Sequence, residues 1–193
     1  MMTNEELFAS IYTHDTIYLP PSEQDCAALE VALGCSHAKC RVCDFAKDPF
    51  QIHSMEQIRR NMQILGRFRP DAYRLFLLGE NAFVLDYQKL CQIFDMTDQY
   101  MPNIHEFSMY SRIDDIARKT DEELRMLHKM GLSTLHIGLE SGSDSILLEQ
   151  NKGVTSMDML VQLRRLEAVG SEYYVTIMLG LGGRRVSVHH ALA

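Results

Sequence analysis

Short, nearly continuous apolar runs alternate along this chain with segments whose apolar residues recur every three or four positions, and this alternation constrains the fold most strongly. Such runs are typical of strands covered on both faces of a sheet, and the longer spacing marks one face of a helix. Parallel strands joined by helices require right-handed crossovers. The pattern therefore predicts an α/β fold with a parallel sheet. Strands are predicted at 28–34, 73–79, 105–112, 134–140 and 173–181.

The predicted helices are marked by capping signals. Thr120 and Glu123 form a capping box, and Gly131 is predicted to close the far end of that helix. Thr155 is predicted to begin the next helix and Gly170 to end it. Further helices are predicted over 55–65 with Gly66 as the C-cap, over 85–94, and from Ser187 onwards.

The composition of the 193-residue chain is that of an ordinary globular protein, with 46% hydrophobic and 23% charged residues. This composition excludes a disordered protein, a collagen-like protein and a minimal disulfide-stabilised domain. The formal charge of −7 argues against a broad nucleic-acid-binding face. The most apolar stretch, 173–183, is too short to span a bilayer, and the N-terminus MMTNEELF is too acidic for a leader peptide. The sequence predicts a cytoplasmic protein without a membrane partner.

Three cysteines lie close together in a chain whose odd total of five makes a poor disulfide framework. The spacing of Cys35, Cys40 and Cys43 allows their thiolates to converge on one metal centre from a single loop. Thiolate is a preferred ligand of both zinc and iron–sulfur clusters. A closed zinc site needs a fourth ligand, for which His37 and Cys26 are the nearest candidates. A four-iron cluster on three cysteines instead leaves one iron open to a small molecule.

The predicted strands end in residues suited to binding small molecules. In parallel α/β sheets, the loops beyond the carboxyl ends of the strands converge on one rim, where ligands bind. Polar or glycine-rich segments follow all five predicted strands. They are the cysteine cluster, Gly79-Glu80-Asn81, Arg112 with Asp114, Glu140-Ser141-Gly142-Ser143, and Gly180-Leu181-Gly182-Gly183.

The ordered motifs along the chain resemble the radical S-adenosylmethionine (radical SAM) superfamily. The run GCSHAKCRVC at 34–43 is followed by LLGENAF, MYSRIDD, HIGLESGSD, LEQNKG and IMLGLGG. The nearest resemblance is to the branch that includes coproporphyrinogen oxidase-like and tRNA methylthiotransferase-like enzymes. It covers about residues 20–193, so we expect a core at 21–193 after an N-terminal extension at 1–20.

The resemblance implies a partial (β/α) barrel of the radical SAM type. That core has a sixth strand, whereas the pattern here predicts only five before the chain ends at residue 193. The expectation is a core that is incomplete at its C-terminus. Two positions depart from the family pattern, since Val42 replaces a usual aromatic residue and Ala38 a common Asn. Neither change removes a cysteine, but adenine packing is expected to be poorer.

The resemblance also implies the cofactors. A [4Fe–4S] cluster on Cys35, Cys40 and Cys43 is expected to bind S-adenosylmethionine (SAM) through its open iron. One electron from a reductant such as flavodoxin or ferredoxin then cleaves SAM to methionine and a 5′-deoxyadenosyl radical, which abstracts hydrogen from a substrate. Neither the substrate nor a catalytic side chain is predicted.

Motif matching extends the resemblance to individual SAM contacts. Arg112 is matched to the methionine carboxylate, although an ion pair with Asp114 or Asp115 is the alternative for this side chain. The methionine amino group is matched to Gly79, Glu80 and Asn81, the ribose to Glu140 and Ser141, and adenine to Ile177 and Gly180.

Two functions thus remain open at the level of sequence. The first is a radical SAM enzyme. The alternative is a noncatalytic metal-binding interaction domain, with zinc or an iron–sulfur cluster, or an inactive fragment.

Overall fold

The computed structural model describes residues 2–44 and 48–183. Its strands are β1 (Ala27–Glu30), β2 (Ala32–Leu33), β3 (Gln51–Ile52), β4 (Arg74–Leu78), β5 (Glu106–Ser111), β6 (Leu132–Glu140) and β7 (Glu172–Ile177). Its α-helices are α1 (Asn4–Ala9), α2 (Met55–Phe68), α3 (Tyr87–Tyr100), α4 (Ile113–Ala117), α5 (Asp121–Lys129), α6 (Asp144–Glu149) and α7 (Ser156–Val169). Short 3-10 turns cover Pro21–Glu23 and Ala82–Val84.

The main sheet contains five parallel strands in the order β1-β4-β5-β6-β7. Because all five run in one direction, their carboxyl ends lie along one edge. The strands β2 and β3 form a separate antiparallel ribbon. The predicted parallel α/β sheet is confirmed, and within 2–44 and 48–183 no sixth strand joins it.

Successive side chains along each strand point to opposite faces of the sheet. Leu29, Leu77 and Leu135 are fully buried in the main core, against the helices. Phe76 is buried on the opposite face, where Tyr110 packs edge-on against it. Burial on both faces explains why the β4 run is almost continuously apolar.

The N-terminal segment packs against the sheet. The Tyr12 hydroxyl donates a hydrogen bond to the carbonyl oxygen of Ala28 (3.0 Å), and Ile11 is buried in the main core. The Thr13 hydroxyl donates to the Glu30 carboxylate (2.6 Å), which also accepts from His53 (2.8 Å). The predicted division into a 1–20 extension and a 21–193 core stays a prediction, but residues 11–13 contribute to the packing of the sheet.

The helix caps predicted by the sequence are largely confirmed. Thr120 and Glu123 form the capping box of α5, and Thr155 caps α7, which ends at Gly170 in a left-handed conformation. Met130 is the C-cap of α5, with Gly131 directly after it. The helix predicted from Ser187 lies outside the described residues. No helix in the described ranges has the length and apolar character to cross a membrane.

Two local predictions were wrong. Gly66 lies inside α2, which continues to Phe68. A Cβ atom at Gly66 would collide with the carbonyl oxygen of Tyr100, so this glycine permits close packing at the end of α3 and does not end its own helix. The single strand predicted over 28–34 is divided into β1 and β2. The backbone N–H of Val31, between them, still bonds to the carbonyl of Leu78 in β4.

Candidate metal and cofactor site

The three predicted metal ligands share one small pocket. Cys35, Cys40 and Cys43 lie in the loop after β2, here called the cysteine loop (34–44), and with Ala38 and Lys39 they line a small open pocket. Cys35 and Cys40 are half-buried, Cys43 is exposed, and all three are free thiols. Within the described ranges, no three His, Cys, Asp or Glu side chains are arranged to enclose a single metal ion. The fit to a metal group therefore rests on the shared pocket and the thiol donors.

The base of the cysteine loop is held by the β2–β3 ribbon. Leu33 pairs with Gln51 at the end of this ribbon. Gly34 follows with a φ of +68°, and a Cβ atom there would lie 2.5 Å from the carbonyl oxygen of Asp48. Only glycine tolerates both this backbone conformation and this approach. The ribbon and Gly34 together direct the cysteine loop along the carboxyl edge of the sheet.

One side of the cysteine loop is bonded to Asn81, which follows Gly79 and Glu80 after the end of β4. The backbone N–H of Ser36 donates to Asn81 Oδ1 (3.1 Å), and Asn81 Nδ2 donates to Ser36 Oγ (2.8 Å) and Asp115 Oδ2 (2.9 Å). Asn81 is almost fully buried. Its side chain therefore braces the loop, and its predicted contact with the methionine amino group stays a prediction.

Asp115 connects this bracing to the start of α4. The side chain is fully buried, and its Oδ2 also accepts a hydrogen bond from the backbone N–H of Arg112 (3.1 Å). Burial raises the pKa of Asp115 above its ordinary value, while the hydrogen bonds from Asn81 and Arg112 partly oppose this rise. Buried hydrogen bonds therefore connect the segment after β4, the start of α4 and the cysteine loop.

The other side of the cysteine loop is bonded to the α6–α7 loop (150–155). His37 Nε2 donates to the carbonyl oxygen of Asn151 (2.8 Å), and Asn151 Nδ2 donates to the carbonyl oxygen of Lys39 (3.0 Å). The backbone N–H of Arg41 bonds to the carbonyl of Gln150 (2.9 Å). The LEQNKG motif thus holds the loop between its first and last cysteines, and His37 bonds to backbone.

Arg112 reaches from the end of β5 to the cysteine loop. Its Nε lies 2.8 Å from Asp114 Oδ1, its Nη2 donates to the carbonyl oxygen of Lys152 (2.9 Å), and its Nη1 lies 3.8 Å from Cys40 Sγ. The side chain is buried. The ion pair with Asp114 that the sequence left as an alternative is present, whereas the predicted contact with the methionine carboxylate stays a prediction.

Glu140 and Lys152 form a second charged pair at the rim. Glu140 is the last residue of β6 and has a left-handed backbone, with φ +69°. Lys152 Nζ lies 3.4 Å from Glu140 Oε1, and only 8% of Lys152 is exposed. A cation held beside this carboxylate offsets part of the cost of burying either charge. Because Lys152 belongs to the α6–α7 loop, this ion pair joins the end of β6 to the loop that braces the cysteines.

The remaining residues matched to SAM are spread along the same rim. Glu80, half-buried after Gly79, has a pKa raised above its ordinary value by burial and by the nearby carboxylates of Asp48 and Glu30. Ser141 is buried, and its Oγ accepts a hydrogen bond from the backbone N–H of Ser143 (3.1 Å).

Of the two residues matched to adenine, Ile177 is the last residue of the outermost strand, β7, and Gly180 follows that strand. Ile177 is paired in register with Glu140, so β7 places it beside the proposed ribose ligand. It is 56% exposed, and Gly180 is also exposed. The structure therefore brings Ile177 next to Glu140, but it leaves both adenine residues without a covering surface in the described part of the chain.

Lys152 and Asn151 are site residues that sequence reasoning missed. Both lie in the LEQNKG motif, which was recognised as a unit without a role for its individual side chains. Asp115 was considered only as an ion-pair partner of Arg112. Its bond to Asn81 depends on the neighbouring positions of β4 and β5, which local spacing alone does not give.

A protein-family model described as the radical SAM superfamily matches residues 29–187. Among curated proteins, the heme chaperone HemW of Bacillus subtilis (strain 168) is 25% identical over 161 residues, which cover 78% of this chain and 41% of HemW. The chain therefore spans less than half the length of that relative.

Solved structures show the same fold. The cobalamin-dependent SAM radical enzyme OxsB, with aqua-cobalamin and SAM bound, has a TM-score of 0.65 at 22% identity, covering 79% of this chain and 23% of OxsB. Methylornithine synthase (PylB) has a TM-score of 0.59 at 12% identity, covering 98% and 52%. HydG, a maturase of the [FeFe]-hydrogenase, has a TM-score of 0.58 at 17% identity, covering 86% and 38%. At these identities the likeness establishes the partial-barrel fold.

Proposed function

This chain belongs to the radical SAM superfamily, and from that membership we propose that its cysteine loop holds a [4Fe–4S] cluster and that the adjoining rim binds SAM. Members of the family use these two cofactors together with a reductant. Cys35, Cys40 and Cys43 would hold the cluster, which would supply the one electron that cleaves SAM to methionine and a 5′-deoxyadenosyl radical able to abstract hydrogen from a substrate.

The observation that carries the proposal is the pocket shared by Cys35, Cys40 and Cys43 at the carboxyl edge of a parallel sheet. Thiolate is the usual ligand of iron–sulfur clusters. Three such ligands leave one iron available to a small molecule, and the strand ends beside the pocket supply polar groups. The protein's part is to orient the cofactors and restrict side reactions.

We assign the rim residues as follows. Glu140 accepts hydrogen bonds from the ribose hydroxyls, and Lys152 holds the Glu140 carboxylate in place through the contact at 3.4 Å. Ile177 lies next to Glu140 in the sheet and contacts adenine. The remaining proposed SAM contacts are Gly79, Glu80, Asn81, Arg112, Ser141 and Gly180.

The electron donor is proposed to be a small one-electron carrier such as a flavodoxin or ferredoxin, in a cytoplasmic setting. The exposed thiol of Cys43 places one edge of the pocket at the protein surface. Electrons can therefore reach this edge from a partner without crossing the core.

Metal analysis tests the proposal. Chain reconstituted with iron and sulfide without oxygen should be brown and hold about four irons per chain, as the cluster stoichiometry requires. Colourless protein that binds stoichiometric zinc and no iron would contradict the proposal and favour a noncatalytic zinc domain.

Replacing Glu140 with alanine is expected to weaken SAM binding while the iron content stays unchanged. Hydrogen bonds to charged groups contribute about 1.5–3 kcal/mol, so the Kd for SAM should rise about tenfold or more. Anaerobic equilibrium dialysis of the cluster-loaded protein measures this change. Glu172→Ala, at an exposed position that begins β7 and therefore lies at the opposite edge of the sheet, removes the same charge and should bind SAM as the unmodified chain does. If the Glu140 variant binds SAM as tightly as the unmodified chain, Glu140 is not part of the SAM site.

A further inference from the structure

The guanidinium of Arg112 is held in one orientation by groups on both sides of it. Its Nε is fixed by Asp114 (2.8 Å) and its Nη2 by the carbonyl oxygen of Lys152 (2.9 Å). These contacts come from α4 and from the α6–α7 loop, so two separate elements position one planar group. Only 8% of Arg112 is exposed, which leaves little freedom for another rotamer. The position of Nη1 follows from this arrangement.

The nitrogen Nη1 lies 3.8 Å from Cys40 Sγ, within hydrogen-bond distance for a sulfur acceptor. Among the described residues, Arg112 supplies the side-chain donor to a thiol of the cysteine pocket. The contact does not depend on SAM, because protein groups alone hold the guanidinium in place. It therefore precedes SAM binding and differs from the carboxylate contact that motif matching suggests for the same residue.

A donor at a ligating sulfur affects the redox equilibrium of an iron–sulfur cluster. Adding an electron to the cluster increases its negative charge, and an N–H donor or a positive charge near a sulfur stabilises that reduced form. Hydrogen bonds to the sulfurs, net charge and solvent exposure are the main protein influences on cluster potential. Asp114 neutralises part of the Arg112 charge, but the N–H of Nη1 remains directed at Cys40.

We propose that Arg112 is a positioning residue that donates a hydrogen bond to the Cys40 sulfur and raises the reduction potential of the cluster. The inference rests on the proposed function, since it requires the cluster on the cysteine loop. Its effect is to make transfer of one electron from a low-potential donor to the cluster more favourable. The neighbouring carbonyl of Lys152 and the carboxylate of Asp114 act by holding the guanidinium.

The test is a redox titration of the cluster-loaded chain with dithionite in the absence of SAM, followed by electron paramagnetic resonance. We expect Arg112→Met to shift the midpoint potential to a more negative value. At a fixed poised potential the ratio of reduced to oxidised cluster should fall about tenfold, which is 59 mV for a one-electron couple. Arg112→Lys keeps the charge but loses the planar group, so a smaller shift in the same direction is expected.

A matched control is Arg125→Met, which removes an arginine from an exposed ion pair with Glu122 on α5. It changes the net charge equally and should leave the potential unchanged. A wild-type potential in both Arg112 variants, with iron retained, overturns the inference without affecting the proposed function. Absence of iron from the unmodified chain overturns the proposed function and the inference with it.

A second variant covers the case in which Arg112→Met fails to take up iron. Arg112→Gln removes the positive charge and shortens the side chain, whereas Asp114→Asn keeps an oxygen that accepts from Nε and removes only the negative charge beside the guanidinium. The inference predicts a more negative potential for Arg112→Gln and an unchanged or less negative potential for Asp114→Asn. A wild-type potential in Arg112→Gln, or a more negative one in Asp114→Asn, contradicts it.

Discussion

Replacing Cys35, Cys40 or Cys43 with alanine is expected to abolish iron binding by the reconstituted chain. Each thiolate supplies one of three protein bonds to the proposed cluster, and all three come from one pocket. Loss of any one leaves a second iron without a protein ligand. Iron per chain should fall from about four to near zero in each variant, with loss of the brown colour. Metal analysis and visible absorption measure the effect.

The chain provides matched controls for this prediction. Cys26 and Cys91 are free cysteines outside the cysteine loop. Burial raises the pKa of Cys26 to about 12, with further contributions from its hydrogen bond to Glu23 and from the Glu23 charge. A thiol of that kind stays protonated and is a poor metal ligand. Cys26→Ala and Cys91→Ala should retain full iron content, and loss of iron in either would mean that the ligand set is wrong.

Replacing Glu23 with alanine is expected to cause a large loss of folding stability. Glu23 is buried on the sheet face opposite the helices, and its Oε1 accepts a hydrogen bond from His136 Nε2 (2.9 Å). Arg74 Nε lies 3.2 Å from Glu23 Oε2, and the Cys26 thiol donates to the same oxygen (2.8 Å). Removing this carboxylate leaves several buried polar groups without their partner.

The expected loss in the free energy of unfolding is about 3–5 kcal/mol, the usual effect of breaking a buried ion pair from one side. Urea denaturation followed by circular dichroism measures it. Glu149→Ala is a suitable control because the side chain is exposed, and surface changes of this kind are usually within about 0.5 kcal/mol. A Glu23 variant as stable as this control would show that the network contributes nothing.

The same carboxylate should make stability depend on pH in the acid range. Burial acts to raise the pKa of Glu23, but hydrogen bonds from His136 and Cys26 and the charge of Arg74 outweigh it, so the pKa lies below its ordinary value. A carboxyl group with a depressed pKa in the folded state contributes its full stability above its unfolded pKa. That contribution is lost as the pH falls through the folded pKa, and Glu23→Gln should show a flatter acid profile.

Much of the fold could be predicted from the sequence because its signals are local. The β4 run is apolar because both of its faces are buried, and Thr120 caps α5 through atoms within the same turn. Gly66 was wrongly predicted to end α2, because a glycine near the end of a helical pattern is also typical of a C-cap. The close approach of Tyr100 that requires it belongs to α3, far away in sequence.

The sequence indicates the proposed metal ligands of the site but not the contacts that brace the cysteine loop. Three closely spaced cysteines indicate a metal centre without any tertiary information. The contacts from Arg112 to Cys40 and from Glu140 to Lys152 instead join elements whose proximity only the folded sheet establishes. Sequence reasoning offered an acidic neighbour as a partner for Arg112, and that partner is present together with two others that local spacing does not reveal.

Cleavage of SAM tests the central claim most directly. The chain is reconstituted without oxygen, reduced with dithionite and incubated with SAM, and 5′-deoxyadenosine is measured by chromatography. We expect 5′-deoxyadenosine and methionine to form with the unmodified chain and not with Cys40→Ala. A reduced protein that holds about four irons per chain but releases no 5′-deoxyadenosine would contradict the claim that this chain carries out radical SAM chemistry.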